Sequence, residues 1–260
     1  MAAVIRRFAL LLVGLYFIVP LVASFAFTVQ DGTNVYGEIV SADGFTDALR
    51  RSMTLAVLTV LVVLIVVIPA LLVVHLKLPR LRPLVENLSL LPLAVPPIAL
   101  VVGVRSLLGM GPEELAGTPV GDFLVSIQDP ELPWVLVIVY AVLALPFAYR
   151  SLDAGVRGGD LRTLVDAARG LGASWATVLG RVVLPQLRSG LLGAAFLTLA
   201  LVLGEFTVAS VLLFETIPVW LVKIGGSDGK LSVAVSLASL VFTWLLLLSV
   251  SALDRKEKKA

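Results

Sequence analysis

Long apolar runs separated by short polar segments follow one another along the whole chain. A helix needs about 20 apolar residues to cross a hydrocarbon core of about 30 Å. Runs that reach or approach this length cover residues 8–28, 52–76, 88–108, 133–149, 191–214 and 231–253. The pattern predicts an all-α polytopic membrane protein with six transmembrane helices, in a single domain over residues 1–260.

The first apolar run follows Arg6 and Arg7, as a signal peptide would. It is long for a signal peptide, and no small-residue cleavage site comes before the next polar segment. We interpret it as a first transmembrane helix.

Composition supports a membrane protein and removes several kinds of chemistry. The chain is 59% hydrophobic and 15% charged, whereas a soluble domain carries about 25% charged residues. It has no cysteine and one histidine, His75, at the end of the second run, which we interpret as an anchor or a packing residue. The sequence therefore predicts no metal site in this chain.

The sequence also argues against an enzyme or a motor. The glycine-rich residues 225–232 lack the spacing of a phosphate-binding loop and have Leu231 where Ser or Thr follows the lysine. An intramembrane protease or a lipid-modifying enzyme is a second hypothesis. It is disfavoured because the sequence offers no His-Glu-x-x-His pair, no cysteine nucleophile and no paired carboxylates within the runs.

Positive charge collects on one side of the predicted membrane. Fifteen of the twenty basic residues fall there: Arg6, Arg7, Lys77, Arg80, Arg82, the arginines from Arg150 to Arg188, and Arg255, Lys256, Lys258 and Lys259. The opposite loops are acidic, with Asp31, Glu38, Asp43, Asp47, Glu113, Glu114, Asp122, Asp129, Glu131, Glu215 and Asp228. Because positive residues mark cytoplasmic loops, both termini are predicted to be cytoplasmic.

The cytoplasmic segment 151–190 changes from continuous to helical apolar spacing. Residues Leu161, Leu164, Val165 and Ala168 predict a short amphipathic helix with Asp160 as its N-cap. Gly170 or Gly172 is expected to end it.

A second helix is expected to start at Ser174, whose hydroxyl can cap the amide of Ala176 or Thr177. Pro185 should end or kink this helix, because proline lacks the N–H that a helix interior requires. An alternative is an amphipathic surface helix whose residues Arg157, Arg162 and Arg169 contact anionic lipid.

The same segment resembles the EAA loop of bacterial ABC importer permeases. That loop reads Glu-Ala-Ala, three residues, Gly, nine residues, a hydrophobic residue, one residue and Leu-Pro. The matching positions are Asp166, Ala167, Ala168, Gly172, Val182, Leu184 and Pro185. Aspartate replaces glutamate at the first position, which keeps the carboxylate but shortens its reach.

The resemblance implies the six-helix MetI-like fold of type I importers, with a core over about residues 50–253. It implies that the loop is a coupling helix docked on a separate cytoplasmic ATPase through Asp166, Ala167, Ala168 and Gly172. Ser174, Leu184 and Pro185 complete this segment. ATP and magnesium would be bound by that partner, and this chain would carry no cofactor.

Further partners implied by the resemblance are a second permease subunit, identical or not, and an extracytoplasmic solute-binding protein, in the bacterial inner membrane. A non-ATPase channel or scaffold subunit is a third hypothesis. No nucleic-acid partner is expected.

Glu205 is the one clear acid within an apolar run, and charged residues there cost about 2.5–3.5 kcal/mol to insert. It marks either a translocation path or gate, or a hydrogen bond to a neighbouring helix. Pro96 and Pro97 interrupt the third run, with Pro92 before them, so this span is a candidate lining element. A packing kink is the alternative.

Other polar and small residues within the runs have less definite roles. Arg105 can pair with Glu205 only at similar depth, and snorkelling outward is favoured. Arg50 and Arg51 can meet a binding protein or a headgroup. Small residues lie four positions apart in four sets, which predicts close helix contacts: Gly190, Ala194 and Thr198, then Ala200 and Gly204, and likewise Ser232 and Ser236, then Ser239 and Thr243.

The substrate class is weakly indicated. Glu205 and the acidic outer loops favour a cationic solute such as a polyamine. Relatives in the polyamine, iron and oxyanion branches share a Gly-Glu-Phe at this place, so an inorganic anion or iron is the alternative.

Overall fold

The computed structural model describes residues 2–30, 32 and 34–257, and the side chains of residues 6–8, 10–30, 32 and 35–245. Asp31, Lys258 and Lys259, which enter the predicted orientation, lie outside the described residues, as do the side chains of Arg255 and Lys256. All secondary structure in the described part is helical.

Fourteen α-helices follow one another in the described chain. They are α1 (Ala2–Thr28), α2 (Asn34–Glu38), α3 (Phe45–Leu72), α4 (Arg82–Ala94), α5 (Pro97–Gly109), α6 (Pro119–Ser126), α7 (Trp134–Arg157), α8 (Leu161–Gly170), α9 (Trp175–Val178), α10 (Leu184–Gln186), α11 (Arg188–Gly204), α12 (Thr207–Val211), α13 (Ile217–Gly225) and α14 (Gly229–Glu257). A π-helical turn Val73–Lys77 extends α3, a 3₁₀ turn Pro79–Leu81 precedes α4, and a π-helical segment Leu179–Val183 joins α9 to α10.

The predicted apolar runs all fall on helices, but two of them are broken. Within the described part of the chain, three stretches are long and apolar enough to cross a membrane unbroken: Arg6–Thr28, Phe45–Lys77 and Trp134–Arg157. Two bent pairs also qualify, Pro79–Ala94 with Pro97–Gly109 and Trp175–Gln186 with Arg188–Gly204, and Gly229–Leu245 is a shorter apolar helix. The sixth predicted run lies within α14.

The third run breaks between α4 and α5 with a bend of 90°. Val95 before the break is extended, with φ −99° and ψ 121°, as expected of a residue that precedes proline. Pro97 then starts α5, where a missing N–H costs nothing. Pro92 does not break the chain, because it lies inside α4.

The chain forms two compact units. The first contains Met1–Ala48 and Ile217–Ala260, and the second contains Leu49–Thr216. In the first unit α1, α2 and α13 pack on α14. The indole of Trp220 is buried there, its Nε1 donates to the Asp43 carbonyl at 2.9 Å, and its ring meets Phe45 edge-on at 5.4 Å.

The second unit is built around the pair α7 and α11, and α7 also packs against α4. The face of α11 that is buried carries residues at every fourth position, Gly190, Ala194, Thr198 and Val202. A side chain at Gly190 would place its Cβ 2.8 Å from the Ser151 carbonyl oxygen. The predicted close contact is therefore confirmed for the first three of these residues, whereas Ala200 and Gly204 are exposed.

The small residues of α14 act differently. Ser232 Oγ donates to the Leu221 carbonyl of α13 at 2.9 Å, which joins these two helices. Ser236 and Thr243 donate to carbonyls of their own helix, at Ser232 and Ser239. Only Ser232 therefore makes an interhelical hydrogen bond among the described bonds of these four residues.

Candidate functional site

The loop from α8 to α10 begins with a capped amphipathic helix. Asp160 Oδ1 accepts from the Thr163 amide at 3.2 Å, so the predicted N-cap is confirmed. The hydrogen bonds from Thr163 lower the pKa of Asp160. A lowered pKa means that the cap stabilises α8 above the ordinary carboxyl pKa, and that this contribution is lost as the pH falls through the folded pKa.

A left-handed glycine separates the two helices of the loop. Helix α8 ends at Gly170, and Gly172, two residues later, has φ +83°. Its amide bonds to the Arg169 carbonyl at 3.0 Å, and Ala173 reaches back to the Ala168 carbonyl. Of the two predicted stop residues, Gly172 is the one whose conformation requires glycine.

The second helix starts at Ser174, as predicted. Its Oγ accepts from the Thr177 amide at 3.2 Å. The helix then widens into the π-helical segment Leu179–Val183 and continues as α10 through Pro185. The prediction of a kink is confirmed in a modified form, because the 75° bend falls after α10 rather than at Pro185 itself.

One face of this loop is buried and the other is exposed. Leu161, Val165, Val178, Val183 and Leu187 belong to the core of the second unit, with Ala168 half-buried against it. The exposed face carries Leu164, Asp166, Ala167, Leu171 and Gly172, and we call these five residues the loop face. Ala168 is therefore separated from Asp166, Ala167 and Gly172, with which the resemblance groups it.

Leu171 is the member of the loop face that the sequence did not single out. It is 90% exposed, although it is a large apolar residue next to the turn. Asp166 is also exposed, and its carboxylate lies 4.0 Å from Arg162, a long and solvated contact. The available signal for Leu171 was its position between Gly170 and Gly172, which leaves it on no helix.

An ion cluster holds α7 to the elements before it. Asp153 is buried near the end of α7, and its carboxylate lies 3.0 Å from His75 Nε2, 3.4 Å from Arg82 and 2.6 Å from Arg157. Arg157 also lies 3.6 Å from Glu86. His75 Nδ1 faces the Leu71 carbonyl at the end of α3, at 3.0 Å. Since His75 Nε2 faces Asp153 on α7, the imidazole lies between these two helices.

Sequence reasoning missed this cluster. The Asp153–Arg157 spacing of four residues was the readable signal, since such pairs meet on one helix face. The contacts to His75 and Arg82 depend on helix packing. Arg157, which the lipid alternative placed at the membrane surface, pairs with Asp153 and Glu86 in this cluster while about half of its side chain stays exposed.

Glu205 lies at the second helix break. It follows α11 in an extended conformation, with φ −81° and ψ 118°. Both carboxylate oxygens accept from the Val208 amide, at 3.1 and 2.9 Å, so Glu205 caps α12. The buried phenol of Tyr140, on α7, lies beside the same carboxylate.

The second halves of the two broken runs lie together. Helix α5 packs against α12, and Arg105 Nη1 donates to the Val211 carbonyl at 3.0 Å. Arg105 thus binds the end of α12, where carbonyls attract a cation, and does not only snorkel outward. Arg51 also bonds to backbone, at the Glu215 carbonyl, 3.0 Å away.

Among the described residues these features define an α-helical protein with apolar spans, two of them broken, and a structured polar loop. No family model matches the chain. It is 31% identical over 247 residues to the molybdenum transport system permease protein ModB of Mycobacterium tuberculosis and to that of Mycobacterium bovis, covering 92% of this chain and 90% of theirs. It is 26% identical over 205 residues to the spermidine/putrescine transport system permease protein PotB of Haemophilus influenzae, covering 74% of this chain and 70% of PotB.

The chain belongs to the permease family of binding-protein-dependent ABC importers. The family that the resemblance implied is thereby confirmed, and its relatives are transport permease subunits. PotB matches the polyamine branch named in the sequence analysis, and ModB matches the oxyanion branch.

Proposed function

We propose that this permease forms the solute pathway of an ATP-driven importer and receives force at the loop face from a separate cytoplasmic ATPase. The observation that carries this proposal is Leu171, a large apolar side chain that is 90% exposed on the same loop face as the exposed carboxylate of Asp166. Leu164 is also exposed on the loop face, to 46%, and exposed apolar surface rimmed by polar groups is typical of a protein contact.

The loop is built to transmit a displacement. Behind the loop face, Val165, Val178 and Val183 are buried in the same core as the α7 residues Ala148 and Leu152. Close-packed interiors transmit strain because they have few voids to absorb it. A push on α8 therefore moves α7 and, through α10, the start of α11.

The pathway is proposed to run beside the two helix breaks. Pro97 starts α5 directly after Pro96, and Glu205 lies two residues before the start of α12, so both breaks lead into the packed pair of α5 and α12. Unwound backbone within a membrane persists where protein or a water-filled cavity satisfies it. In this proposal Glu205 stabilises the start of α12 beside the pathway, and its carboxylate does not bind the solute.

The remaining parts of the importer are proposed from the family. They are a second permease subunit, an extracytoplasmic binding protein, and ATP with magnesium on the ATPase. The membrane is proposed to be the bacterial inner membrane, with both termini and the loop face on the cytoplasmic side. The side follows from the distribution of lysine and arginine.

Single-cysteine variants test both the side and the contact, because the chain has no cysteine of its own. Leu171 and Leu213 offer a matched pair, since they are 90% and 79% exposed and lie on opposite predicted sides. In intact cells a membrane-impermeant maleimide should label Leu213→Cys but not Leu171→Cys. In inverted vesicles only Leu171→Cys should be labelled.

The contact is tested with a photo-crosslinker at the same two positions in native membranes. The Leu171 variant should yield a product with a subunit that carries a phosphate-binding loop, identified by mass spectrometry, and the Leu213 variant should not. Labelling of Leu171→Cys from outside, or an ATPase product at Leu213 alone, would reject the proposed docking.

We propose an oxyanion of the molybdate type as the substrate. The 31% identity to ModB extends over 92% of the chain. In addition, the Glu205 carboxylate is engaged by α12, which weakens the earlier argument for a cation. A polyamine is the second candidate, favoured by the similarity to PotB.

Uptake measurements separate these candidates. Cells lacking this chain should lose molybdate uptake and keep spermidine uptake, and the wild-type chain should restore the loss. Loss of spermidine uptake alone would establish the second candidate. Retention of both uptakes would exclude both substrates without affecting the cross-linking test.

A further inference from the structure

An apolar groove lies between the outer face of α3 and the second helix of the loop. Its volume is about 630 Å³, within the range of about 300–1,000 Å³ typical of small-molecule sites. Leu64, Ile68 and Leu72 form one wall, and Trp175 and Leu179 form the other. Among the described residues that line it, only Lys77 is charged.

The groove is long enough to hold one acyl chain. It extends along α3 and its π-helical turn from Leu61 to Lys77, a rise of about 24 Å at 1.5 Å per residue. One leaflet of the hydrocarbon core is about 15 Å thick. Ile65, which lines the groove, is 70% exposed, so apolar surface is available along it.

Two cations meet at one end of the groove, over the ring of a single indole. Lys77 Nζ lies 5.8 Å from the centre of the Trp175 ring, and Arg169 Cζ lies 5.3 Å from it. Arg169 is held in place because its Nη1 also donates to the Ala173 carbonyl at 2.7 Å. Tryptophan with lysine or arginine is typical of the headgroup level of a membrane.

We propose that this groove binds one anionic phospholipid, with an acyl chain along α3 and the phosphate at Lys77 and Arg169. An apolar groove that ends in two positive charges is complementary to a molecule with an apolar tail and a negative head. Basic pockets beside transmembrane helices on the cytoplasmic side bind such headgroups. The site shares no residue with the loop face, although Leu184 of the coupling segment lines it.

Quenching of Trp175 by brominated lipids tests this site. The full-length protein is reconstituted in phosphatidylcholine nanodiscs with increasing amounts of dibrominated phosphatidylglycerol or dibrominated phosphatidylcholine. The chain has four tryptophans, so the signal of Trp175 is the difference from Trp175→Phe. We expect half-maximal quenching at a lower fraction of brominated phosphatidylglycerol than of brominated phosphatidylcholine.

Variants at the mouth should remove the preference for the anionic lipid. Lys77→Gln should reduce it about fivefold, equivalent to about 1 kcal/mol per cation, and the double variant with Arg169→Gln should abolish it. Arg162→Gln is the matched control and should have no effect, because Arg162 lies on the same loop and contacts Asp166 instead. Ile65→Gln should weaken quenching by both lipids.

Three results would overturn the proposal. Equal quenching by the two lipids would exclude recognition of the headgroup. No quenching of Trp175 by either lipid would mean that protein, such as a second copy of the chain, covers the groove. Displacement of the brominated lipid by excess inorganic phosphate would indicate a site for a free anion.

Discussion

The loop face and the break at Glu205 are two regions that carry a carboxylate in an apolar chain, and the structure treats these carboxylates in opposite ways. Asp166 is exposed, and its nearest ion-pair contact is a guanidinium 4.0 Å away. Glu205 is partly buried, and both its oxygens accept from the Val208 amide. The first carboxylate remains available to a partner, whereas the second is used within its own chain.

The difference follows from where each acid can satisfy its charge. At the surface, water solvates the charge of Asp166, and an exposed ion pair such as that with Arg162 contributes little to folding stability. At an apolar helix break there is less water, so the carboxylate must take backbone N–H groups that the broken helix leaves unpaired. A polar residue at a break is therefore evidence of local structure before it is evidence of a substrate site.

The largest contrast in stability is expected between Asp153 and Asp166. Asp153→Ala leaves His75, Arg82 and Arg157 without their common carboxylate, and we expect a loss of about 2–4 kcal/mol, below the full value of a buried pair because Arg157 is half exposed. Asp166→Ala is the matched control and should change stability by less than about 0.5 kcal/mol. Denaturant unfolding in micelles measures both, and equal effects would contradict the assigned burial.

The turn of the loop is expected to be the next most sensitive position. Gly172→Ala forces a side chain into the left-handed region and should cost about 1–2 kcal/mol, although no atom lies within 4 Å of the added Cβ. Gly170→Ala, also unobstructed, should be neutral or stabilising. Since neither added methyl group meets another atom, the difference in unfolding free energy between the two variants measures the backbone strain at Gly172. An unchanged free energy of unfolding in Gly172→Ala would disprove the strained turn.

A smaller effect is expected at Glu205. Glu205→Ala removes the cap of α12 and should cost about 1 kcal/mol, whereas Glu205→Gln keeps an acceptor and should retain most of the stability. If Glu205 acts as a cap, solute uptake should follow stability in the two variants. Wild-type stability with abolished uptake in Glu205→Gln would show instead that the charge itself acts on the solute.

Local features of the loop were predictable because they depend on neighbouring residues. Asp160 and Ser174 each cap a helix by accepting from the amide three residues ahead. Such contacts need no tertiary structure. A helix break in the third run could also be predicted from its prolines. The sequence did not show that the break falls at Pro96 and not at Pro92. Pro92 remains inside α4, and the extended Val95 decides where the chain turns.

Contacts across the fold were harder to predict. The sequence placed Arg105 either beside Glu205 or in the headgroups, yet it binds the Val211 carbonyl. It gave His75 a packing role without its partner Asp153, 78 positions away along the chain. These pairings depend on the rotation of each helix about its axis, which hydrophobic periodicity defines poorly in helices that are apolar on all sides.

The sequence by itself determined the class of this protein. Apolar length, charge asymmetry and the spacing from Asp166 to Pro185 are properties of the chain read in order, and they were sufficient for an importer permease with a structured loop. Tertiary structure alone decided which polar groups are satisfied internally and which remain available. It assigned Glu205 to α12 and Ala168 to the core, and it left Leu171 exposed, because only the packing of α7, α8 and α11 determines which side of each residue faces protein.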